Sequence, residues 1–194
     1  MTPTSRSSAT RRQILDATTE LLAERGTTAT GFNQIVEASG VSYGSIYHQF
    51  SGGKAQLVGA AVEAAGAEIR DAIDLALQLT PDLASAAALI FDHGAGLLVA
   101  SDFRRGCPVG TAIADGHTVD QVRDAAAATF AAWNTVIVDR ATALGMSRDD
   151  SERFASIVVS LYEGALLVAR ATRSVEPLGH ARATAMQLVE VMTS

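Results

Sequence analysis

The sequence contains little cysteine and little proline. Cys107 is the single cysteine among 194 residues, which excludes an intrachain disulfide framework and fits a reducing compartment. Only four prolines occur, and alanine is abundant, so long helices meet few interruptions. Almost no segment shows the two-residue alternation of a half-buried strand. These features predict an all-α globular protein with a cytoplasmic location.

The sequence also lacks the features of a secreted or membrane protein. Residues 1–12 are polar, and no apolar stretch follows them, so we expect no secretory leader. The most apolar segment, Leu83 to Ala100, contains Asp92 and His93, and a charge at the centre of a membrane span is costly. We therefore interpret this segment as a buried helix and expect no membrane partner.

An excess of positive charge is absent as well, since the formal net charge is −6. Residues 1–58 carry five basic and four acidic side chains, whereas the remainder carries ten basic and seventeen acidic ones. The acidity therefore belongs to the C-terminal part. Because phosphate binding requires a local positive face and not a basic protein, this distribution leaves a DNA-binding N-terminal region open.

No residue pattern indicates catalysis, a metal site or a cofactor. The four histidines are scattered without paired spacing: His48, His93, His117 and His180. Cys107 lies near Arg104 and Arg105, but no histidine stands at an informative distance to act as its base. We predict no enzymatic activity, no metal and no cofactor, and we interpret Cys107 as a structural loop residue, with thiol sensing as the alternative.

Helical periodicity of the apolar residues predicts about nine helices. The predicted ranges are residues 10–24, 31–38, 42–49, 53–79, 81–101, 118–144, 147–173 and 177–192, with one further turn inside the loop 102–116. Three short helices give way to longer ones near residues 50–55. We therefore predict a three-helix N-terminal domain over residues 1–52 and a helical C-terminal domain over residues 53–194.

Capping residues support these boundaries. Ser42 is a favourable N-cap, and Gly40 before it permits a left-handed helix stop. The pairs Thr118–Gln121 and Ser147–Asp150 have the spacing of a capping box. The run Thr80-Pro81-Asp82 is typical of an N-cap, a first turn and an acidic helix start.

Residues 30–50, TGFNQIVEASGVSYGSIYHQF, have the layout of a helix-turn-helix. Two short helices are joined by a tight turn at Gly40, and apolar residues such as Ile35, Val41 and Ile46 lock the two helices together. In this motif the N-terminal residues of the second helix meet base edges in the major groove. The sequence therefore predicts a DNA-binding surface at the start of the helix that follows Ser42.

The residue types on that second helix suit DNA contact. Gly44 allows close backbone approach, and Ser45 can bond to bases or to phosphate. Tyr43, Tyr47 and His48 carry polar tips on rigid rings, which suit phosphates or thymine methyl groups.

Further contacts are predicted around this helix. Thr30 combines a hydroxyl with the free N–H groups of a helix start, Lys54 can reach a phosphate, and Arg6, Arg11 and Arg12 can form a flexible arm beside the duplex. The predicted DNA-binding residues are Arg12, Thr30, Gly31, Ser42, Tyr43, Gly44, Ser45, Tyr47, His48 and Lys54.

The run from Arg12 to Leu57 resembles the N-terminal domain of the TetR family. The matching residues are Ile14-Leu15-x-Ala17, Leu21-Leu22, Gly26, Ile35-Val36, Gly40-Val41-Ser42, Gly44 to Phe50, Lys54 and Leu57. The segments Gly31 to Ile35 and Gly106-Cys107-Pro108-Val109 resemble the LmrA/YxaF-type branch of that family more weakly.

The resemblance implies an all-α homodimer whose last two long helices form a four-helix interface. The residues themselves agree, because Ile157 to Ala169 is apolar nearly all round, as in a helix buried on both faces. The predicted dimer-interface residues are Ile157, Leu161, Gly164, Ala165, Val168, Ala183, Met186 and Val189.

The resemblance also implies an inducer pocket among the middle helices, where ligand changes the spacing of the two DNA-binding heads. Aromatic residues with a few polar groups are typical of such a lining, although core packing explains each of them singly. The predicted ligand-binding residues are Phe91, His93, Phe103, Phe130, Trp133, Asn134 and Tyr162.

The resulting hypothesis is a ligand-responsive repressor that binds a near-palindromic operator as a dimer and is released by a small, apolar or aromatic effector. One alternative is a helical enzyme that uses Cys107 or the Asp92–His93 pair. The other is a helical small-molecule carrier whose DNA-binding head no longer binds DNA.

Overall fold

The computed structural model describes residues 3–114 and 119–193. Within these ranges the chain forms nine helices and no strand, which confirms the predicted all-α fold. The helices are α1 (Pro3–Arg25), α2 (Phe32–Ser39), α3 (Tyr43–Gln49), α4 (Gly53–Leu79), α5 (Leu83–Ala100), α6 (Pro108–Ile113), α7 (Asp120–Ala143), α8 (Arg148–Thr172) and α9 (Glu176–Met192).

Two of the predicted N-caps are present with their hydrogen bonds. The Ser42 hydroxyl oxygen accepts from the Ser45 N–H at 3.3 Å, and the Ser147 hydroxyl oxygen accepts from the Asp150 N–H at 3.1 Å. The Ser147 hydroxyl also donates to Asp150 Oδ2 at 2.6 Å, and this hydrogen bond is the main cause that lowers the pKa of Asp150. The predicted cap Thr118 lies outside the described residues.

The start of α5 differs from the prediction. Asp82, and not Thr80, is the N-cap, and its carboxylate accepts from the Ser85 N–H at 2.7 Å. The Thr80 hydroxyl instead donates to the Ala76 carbonyl at 2.8 Å, which ties Thr80 to the end of α4. Pro81 therefore precedes the helix and does not form its first turn.

The flexible N-terminal arm is also a wrong prediction, because α1 begins at Pro3 and contains Arg11 and Arg12. Contacts with the end of α3 hold this part of the helix. The Arg11 guanidinium donates to the Gln49 carbonyl at 3.3 Å, and the Gln49 carboxamide donates to the Ser7 hydroxyl at 2.9 Å. Polar composition alone predicted a loop where these tertiary contacts stabilise a helix.

The chain divides into two compact units. The first comprises residues 1–66 and 107–129, and the second comprises residues 67–106 and 130–194. Large fully buried side chains of the first unit include Ile14, Leu22, Ile35, Ile46, Phe50, Leu57 and Val109, and those of the second include Phe91, Leu98 and Leu178. The chain passes between the units three times: inside α4, between Gly106 and Cys107, and inside α7. Helices α4 and α7 therefore each contribute residues to both units.

Helix α6 lies within the segment predicted as a loop with one helical turn. It packs on α1 in the first unit, where the Thr27 hydroxyl donates to the Ala112 carbonyl at 2.8 Å. Cys107 is buried and caps α6, with its Sγ accepting from the Gly110 N–H at 3.5 Å. This geometry gives Cys107 a structural part at the helix start.

Helices α5 and α8 are long and apolar enough to cross a membrane by length and composition, a property that core helices of soluble proteins share. In the second unit both pack against α9. Asp92 of α5 forms an ion pair with Arg182 of α9 at 3.2 Å. Leu97 and Val99, also on α5, are 57% and 59% exposed. The interpretation of this segment as a buried helix therefore holds for one side of α5, whereas the remainder is exposed in the single chain.

Candidate nucleic-acid interface

Helices α2 and α3 form a helix-turn-helix whose turn is fixed by local hydrogen bonds. Gly40 adopts the left-handed conformation, with φ 65°, and its N–H donates to the Val36 carbonyl at 2.9 Å. The buried Ser39 hydroxyl accepts from the Val41 N–H at 3.2 Å. Because Val41 and Ile46 are buried beneath the turn, α3 is held firmly against the first unit.

The exposed face of α3 carries the predicted base-reading residues. Tyr43 and Tyr47 are 44% and 47% exposed, and Gly44 and His48 are exposed beside them. A Cβ added at Gly44 would meet nothing within 4 Å, so this face is open at its centre. The predicted tyrosine, glycine and histidine therefore lie together on one accessible surface.

Three aromatic rings contact one another at this surface. Phe32, the first residue of α2, stacks on Tyr47 with a centroid distance of 5.2 Å and an interplanar angle of 18°. The Tyr43 ring lies 5.6 Å from that of Phe32 and 5.4 Å from that of Tyr47. We call these three residues the ring cluster. Its tyrosines reach solvent from fixed positions, because each is packed against the other and against Phe32.

The serines of α3 have local partners. The Ser42 and Ser45 hydroxyls are hydrogen-bonded to each other at 3.0 Å, in addition to the cap bond from the Ser45 N–H. Ser42 is exposed and Ser45 is half-buried. Both hydroxyls therefore stabilise the helix start, and a contact with DNA would compete with these bonds.

The predicted hydroxyl contact at Thr30 is not supported by its position. Thr30 is fully buried, and its hydroxyl donates to the Gly26 carbonyl at 2.7 Å. Gly31 is the N-cap of α2, and its N–H is taken by the Gln34 side chain at 3.1 Å. The start of α2 presents backbone N–H groups, but Thr30 itself acts within the core of the first unit.

Two basic residues flank the helix-turn-helix. Arg12 is exposed on α1 and forms an ion pair with Asp16 at 3.2 Å, a surface pair that a phosphate can replace at little cost. Lys54 is half-buried in the first turn of α4. The Gln56 side chain, in the first turn of α4, accepts from the Gly52 N–H at 2.8 Å.

Sequence reasoning missed the contacts that residues of α1 make with the ends of α2 and α3. Gln13 donates to the Ser39 carbonyl at 2.6 Å, and the Arg11 guanidinium lies 4.4 Å from the centroid of the Phe50 ring. Phe32 was not among the predicted DNA-binding residues, although its ring contacts both tyrosines. Only the spacing of Tyr43 and Tyr47, four residues apart on α3, indicated in advance that their rings adjoin.

The predicted ligand-binding residues form two aromatic pairs in the second unit. Phe91 of α5 and Tyr162 of α8 meet edge to face at 5.3 Å, and Tyr162 occupies the space that a side chain at Gly94 would fill. Phe130 and Trp133 of α7 meet edge to face at 5.1 Å.

Three other predicted ligand-binding residues have distinct surroundings. Asn134 follows Trp133, and its Oδ1 is buried without a hydrogen-bond partner among the described residues. His93 is exposed, because two residues along a helix turn the side chain away from the buried Phe91 face, so it does not belong with that pair. Phe103 is half-buried beneath the Arg173 guanidinium, 5.7 Å from the ring centroid.

The loop around Phe103 is fastened to the end of α8. Arg173 forms an ion pair with Asp102 at 2.6 Å and also donates to the Asp102 carbonyl at 3.3 Å. Asp102, Phe103 and Arg173 are the non-glycine residues with positive φ in the described part of the chain. These three residues thus adopt backbone conformations that are unfavourable for L-residues. The side chain of Arg173, through its contacts with Asp102 and Phe103, connects all three.

The predicted dimer-interface residues divide by face. Ile157, Gly164 and Val168 lie on an exposed stripe of α8 together with Leu167, which is 67% exposed. Leu161 is half-buried beside that stripe. On α9, Ala183 is exposed, and Met186 and Val189 are half-buried. Ala165 is buried within the second unit, so it packs on the core side of α8.

Comparison with known proteins places both parts of the chain. Residues 14–61 match the family model described as "Bacterial regulatory proteins, tetR family". Residues 84–184 match the model described as "Transcriptional regulator LmrA/YxaF-like, C-terminal domain".

Individual relatives agree with the family models. An uncharacterised helix-turn-helix transcriptional regulator of Mycobacterium tuberculosis is 34% identical over 174 residues, which covers 87% of this chain and 88% of the relative. The regulator LmrA of Bacillus subtilis is 28% identical over 171 residues, covering 88% and 91%. A regulatory protein TetR from Rhodobacter sphaeroides has a solved structure that superposes with a TM-score of 0.81, at 27% identity, covering 91% and 97%.

Proposed function

Because the chain belongs to the TetR family of transcriptional regulators, which bind DNA and are not enzymes, we propose that it is a repressor controlled by a small molecule. In this proposal a cytoplasmic homodimer binds a near-palindromic operator and leaves it when an apolar or aromatic effector binds. The main observation behind this proposal is the exposed face of α3. It presents two fixed tyrosine rings, His48 and an open glycine at the position where this motif meets the major groove.

Operator binding is further supported by a solved structural neighbour. CifR, a family member with 20% identity and a TM-score of 0.73, has been determined as a cysteine mutant complexed with 26-bp double-strand operator DNA. In our proposal Tyr43, Gly44, Tyr47 and His48 contact bases and phosphates. Arg12, Lys54 and the backbone N–H groups in the first turn of α2 contact the phosphates on either side.

Dimerisation is supported by the apolar stripe of α8. Ile157, Leu167 and Val168 are exposed in the single chain, and Gly164 among them leaves open space for a neighbouring helix. A contiguous exposed apolar face on a folded domain indicates an interaction surface. A second copy of the chain, related by a twofold axis, would cover it and would also set two recognition helices to match the two halves of a palindrome.

The effector is proposed to bind near the aromatic pairs of the second unit. Phe130 and Trp133 supply ring edges and faces, and the buried Oδ1 of Asn134 offers an acceptor to a hydroxyl or amine of the ligand. Release requires that the effector bind the DNA-incompetent arrangement more tightly than the competent one. Helix α4 is continuous from Gly53 to Leu79 and enters both units, which makes it the route we propose for this coupling.

Fluorescence anisotropy with the DNA upstream of its own gene tests the repressor directly. We expect binding at least about a hundredfold tighter than to a scrambled duplex at physiological salt. Compounds from a panel of small aromatic molecules that quench Trp133, the single tryptophan, should also reverse DNA binding. Equal, weak binding to both duplexes, together with tight binding of an aromatic compound, would contradict the proposal and favour a carrier.

A further inference from the structure

The ring cluster combines fixed geometry with exposure. Phe32 belongs to α2, whereas Tyr43 and Tyr47 belong to α3, so the contacts at 5.6 Å and 5.2 Å join the two helices of the motif outside their buried core. Tyr43 and Tyr47 nonetheless remain 44% and 47% exposed. Rings that are already immobilised in the free protein lose less side-chain entropy when a partner covers them.

The composition of α3 limits how it can read bases. Its sequence, YGSIYHQ, contains no arginine, lysine or asparagine, which are among the side chains that bond bidentately to guanine or adenine. Its one glutamine, Gln49, donates to the Ser7 hydroxyl at 2.9 Å. The Ser45 hydroxyl is bonded to that of Ser42. The exposed groups that remain are two aromatic rings, one imidazole and the open surface at Gly44.

Resting on the proposed function, we propose that the ring cluster selects thymine by contact between the Tyr43 ring and thymine 5-methyl groups, and that Phe32 is the positioning residue that fixes this ring. An apolar surface in the major groove recognises thymine through its methyl group, the one apolar substituent among the four base edges. Phe32 contacts both tyrosines and is only half-exposed itself, so it acts through them.

The experiment removes single methyl groups from the DNA. A duplex is first obtained by selection from random-sequence DNA with the full-length protein, and each thymine is then replaced in turn by deoxyuridine. We expect at least one position in each half-site where this replacement weakens binding about fourfold, the effect of one buried methyl group. Tyr43→Ala should reduce this thymine preference to less than about twofold. Tyr43→Phe, which keeps the ring and lacks the hydroxyl, should retain it.

Variants of Phe32 separate positioning from simple packing. Phe32→Leu keeps an apolar side chain and should lower the thymine preference to less than about twofold, while Phe32→Tyr, which restores a ring, should recover it. Circular dichroism in the far ultraviolet verifies that each variant is folded, and Tyr43→Ala and Tyr43→Phe test the ring contact independently if Phe32→Leu does not fold.

The outcomes distinguish this inference from the proposed function. Specific binding without any effect of deoxyuridine would overturn thymine selection and leave the repressor intact. A thymine preference that persists in folded Phe32→Leu would show that Phe32 has no positioning role. If selection yields no preferred sequence at all, the repressor proposal fails, and this inference fails with it.

Discussion

Arg11 of α1 and Phe50 at the end of α3 connect the first helix to the helix-turn-helix. The guanidinium of Arg11, in α1, lies 4.4 Å from the centroid of the buried Phe50 ring and donates to the Gln49 carbonyl at 3.3 Å. Phe50 is the C-cap residue of α3, so a positive charge stands at the negative end of that helix. One side chain thereby satisfies a helix-terminal carbonyl, covers an aromatic face and fixes the orientation of α3.

Replacing Arg11 should therefore destabilise the first unit. Arg11→Leu removes a half-buried cation–π contact and a hydrogen bond, and we expect it to lower the free energy of unfolding by about 1–2 kcal/mol. Arg12→Leu is the matched control. The guanidinium of Arg12 is largely exposed and pairs with the exposed Asp16, so its loss should change stability by less than about 0.5 kcal/mol. Urea unfolding monitored by circular dichroism measures both, and equal effects would refute the role of Arg11.

Gly66 marks a close approach between α4 and α7 in the first unit. A Cβ at this position would overlap the Thr129 side chain, whose carbon and oxygen atoms both lie too near. We expect Gly66→Ala to lower the free energy of unfolding by about 1–3 kcal/mol through overpacking. Thr129→Ser together with Gly66→Ala should recover part of this loss.

A glycine in open space provides the control for this prediction. Gly96 lies inside α5, and a Cβ there would meet nothing within 4 Å. Gly96→Ala should raise stability by about 0.5–1 kcal/mol, because alanine favours a helix over glycine. Thermal unfolding of both variants distinguishes steric overlap from helix propensity, and stabilisation by Gly66→Ala would contradict the close approach.

A charge on the exposed stripe of α8 should dissociate the proposed dimer. Val168 is 48% exposed in the single chain, and Val168→Glu would bury a carboxylate in the apolar stripe at the proposed twofold interface. Light scattering after size exclusion should then give the mass of one chain. Leu144→Glu, at 42% exposure in the turn just after α7, is the control, and it should leave the dimer unchanged. A dimeric Val168→Glu variant would locate the interface elsewhere.

The N-cap of α5 should make part of the protein's stability vary with pH in the acid range. Hydrogen bonds from Ser85 lower the pKa of Asp82 below its ordinary range. A depressed pKa in the folded state means that this stabilisation is complete above the unfolded pKa of about 4 and is lost as pH falls through the lower folded value. Asp82→Asn keeps an N-cap residue that does not titrate, so the Tm of this variant should fall less between pH 5 and pH 2 than the Tm of the unsubstituted protein. Identical pH profiles would contradict this.

Local signals in the sequence predicted most of the fold. Ser42, Gly40 and Ser147 act within three or four residues of themselves, and their caps and stop occur as predicted. The N-terminal part of α1 was missed because the contacts that stabilise it involve Gln49 and Phe50, some forty residues away. Polar composition near the start of a chain does not reveal such partners.

The candidate sites likewise combine local features that the sequence reveals with tertiary contacts that it does not. The alignment of Tyr43 with Tyr47 follows from helical spacing, whereas the stacking of Phe32 depends on how α2 and α3 cross. Thr30 was predicted to contact a phosphate because it lies at the start of the first helix of the motif, yet its hydroxyl donates to the Gly26 carbonyl inside the core. Sequence periodicity identifies the face of a helix on which a residue lies. Whether its side chain is free to bind DNA or bonds to an acceptor in the core depends on tertiary packing.

The absence of lysine and arginine from α3 affects how the protein is distributed in a cell. Non-specific attachment to chromosomal DNA depends chiefly on the number of phosphates that are neutralised. If Arg12 and Lys54 supply the cations, as we propose, few phosphates are neutralised, and the number of non-specifically bound molecules is small. A larger fraction of the copies then remains free in solution. Occupancy of the true site would consequently respond almost directly to the total copy number, so that small changes in synthesis of the regulator alter gene output.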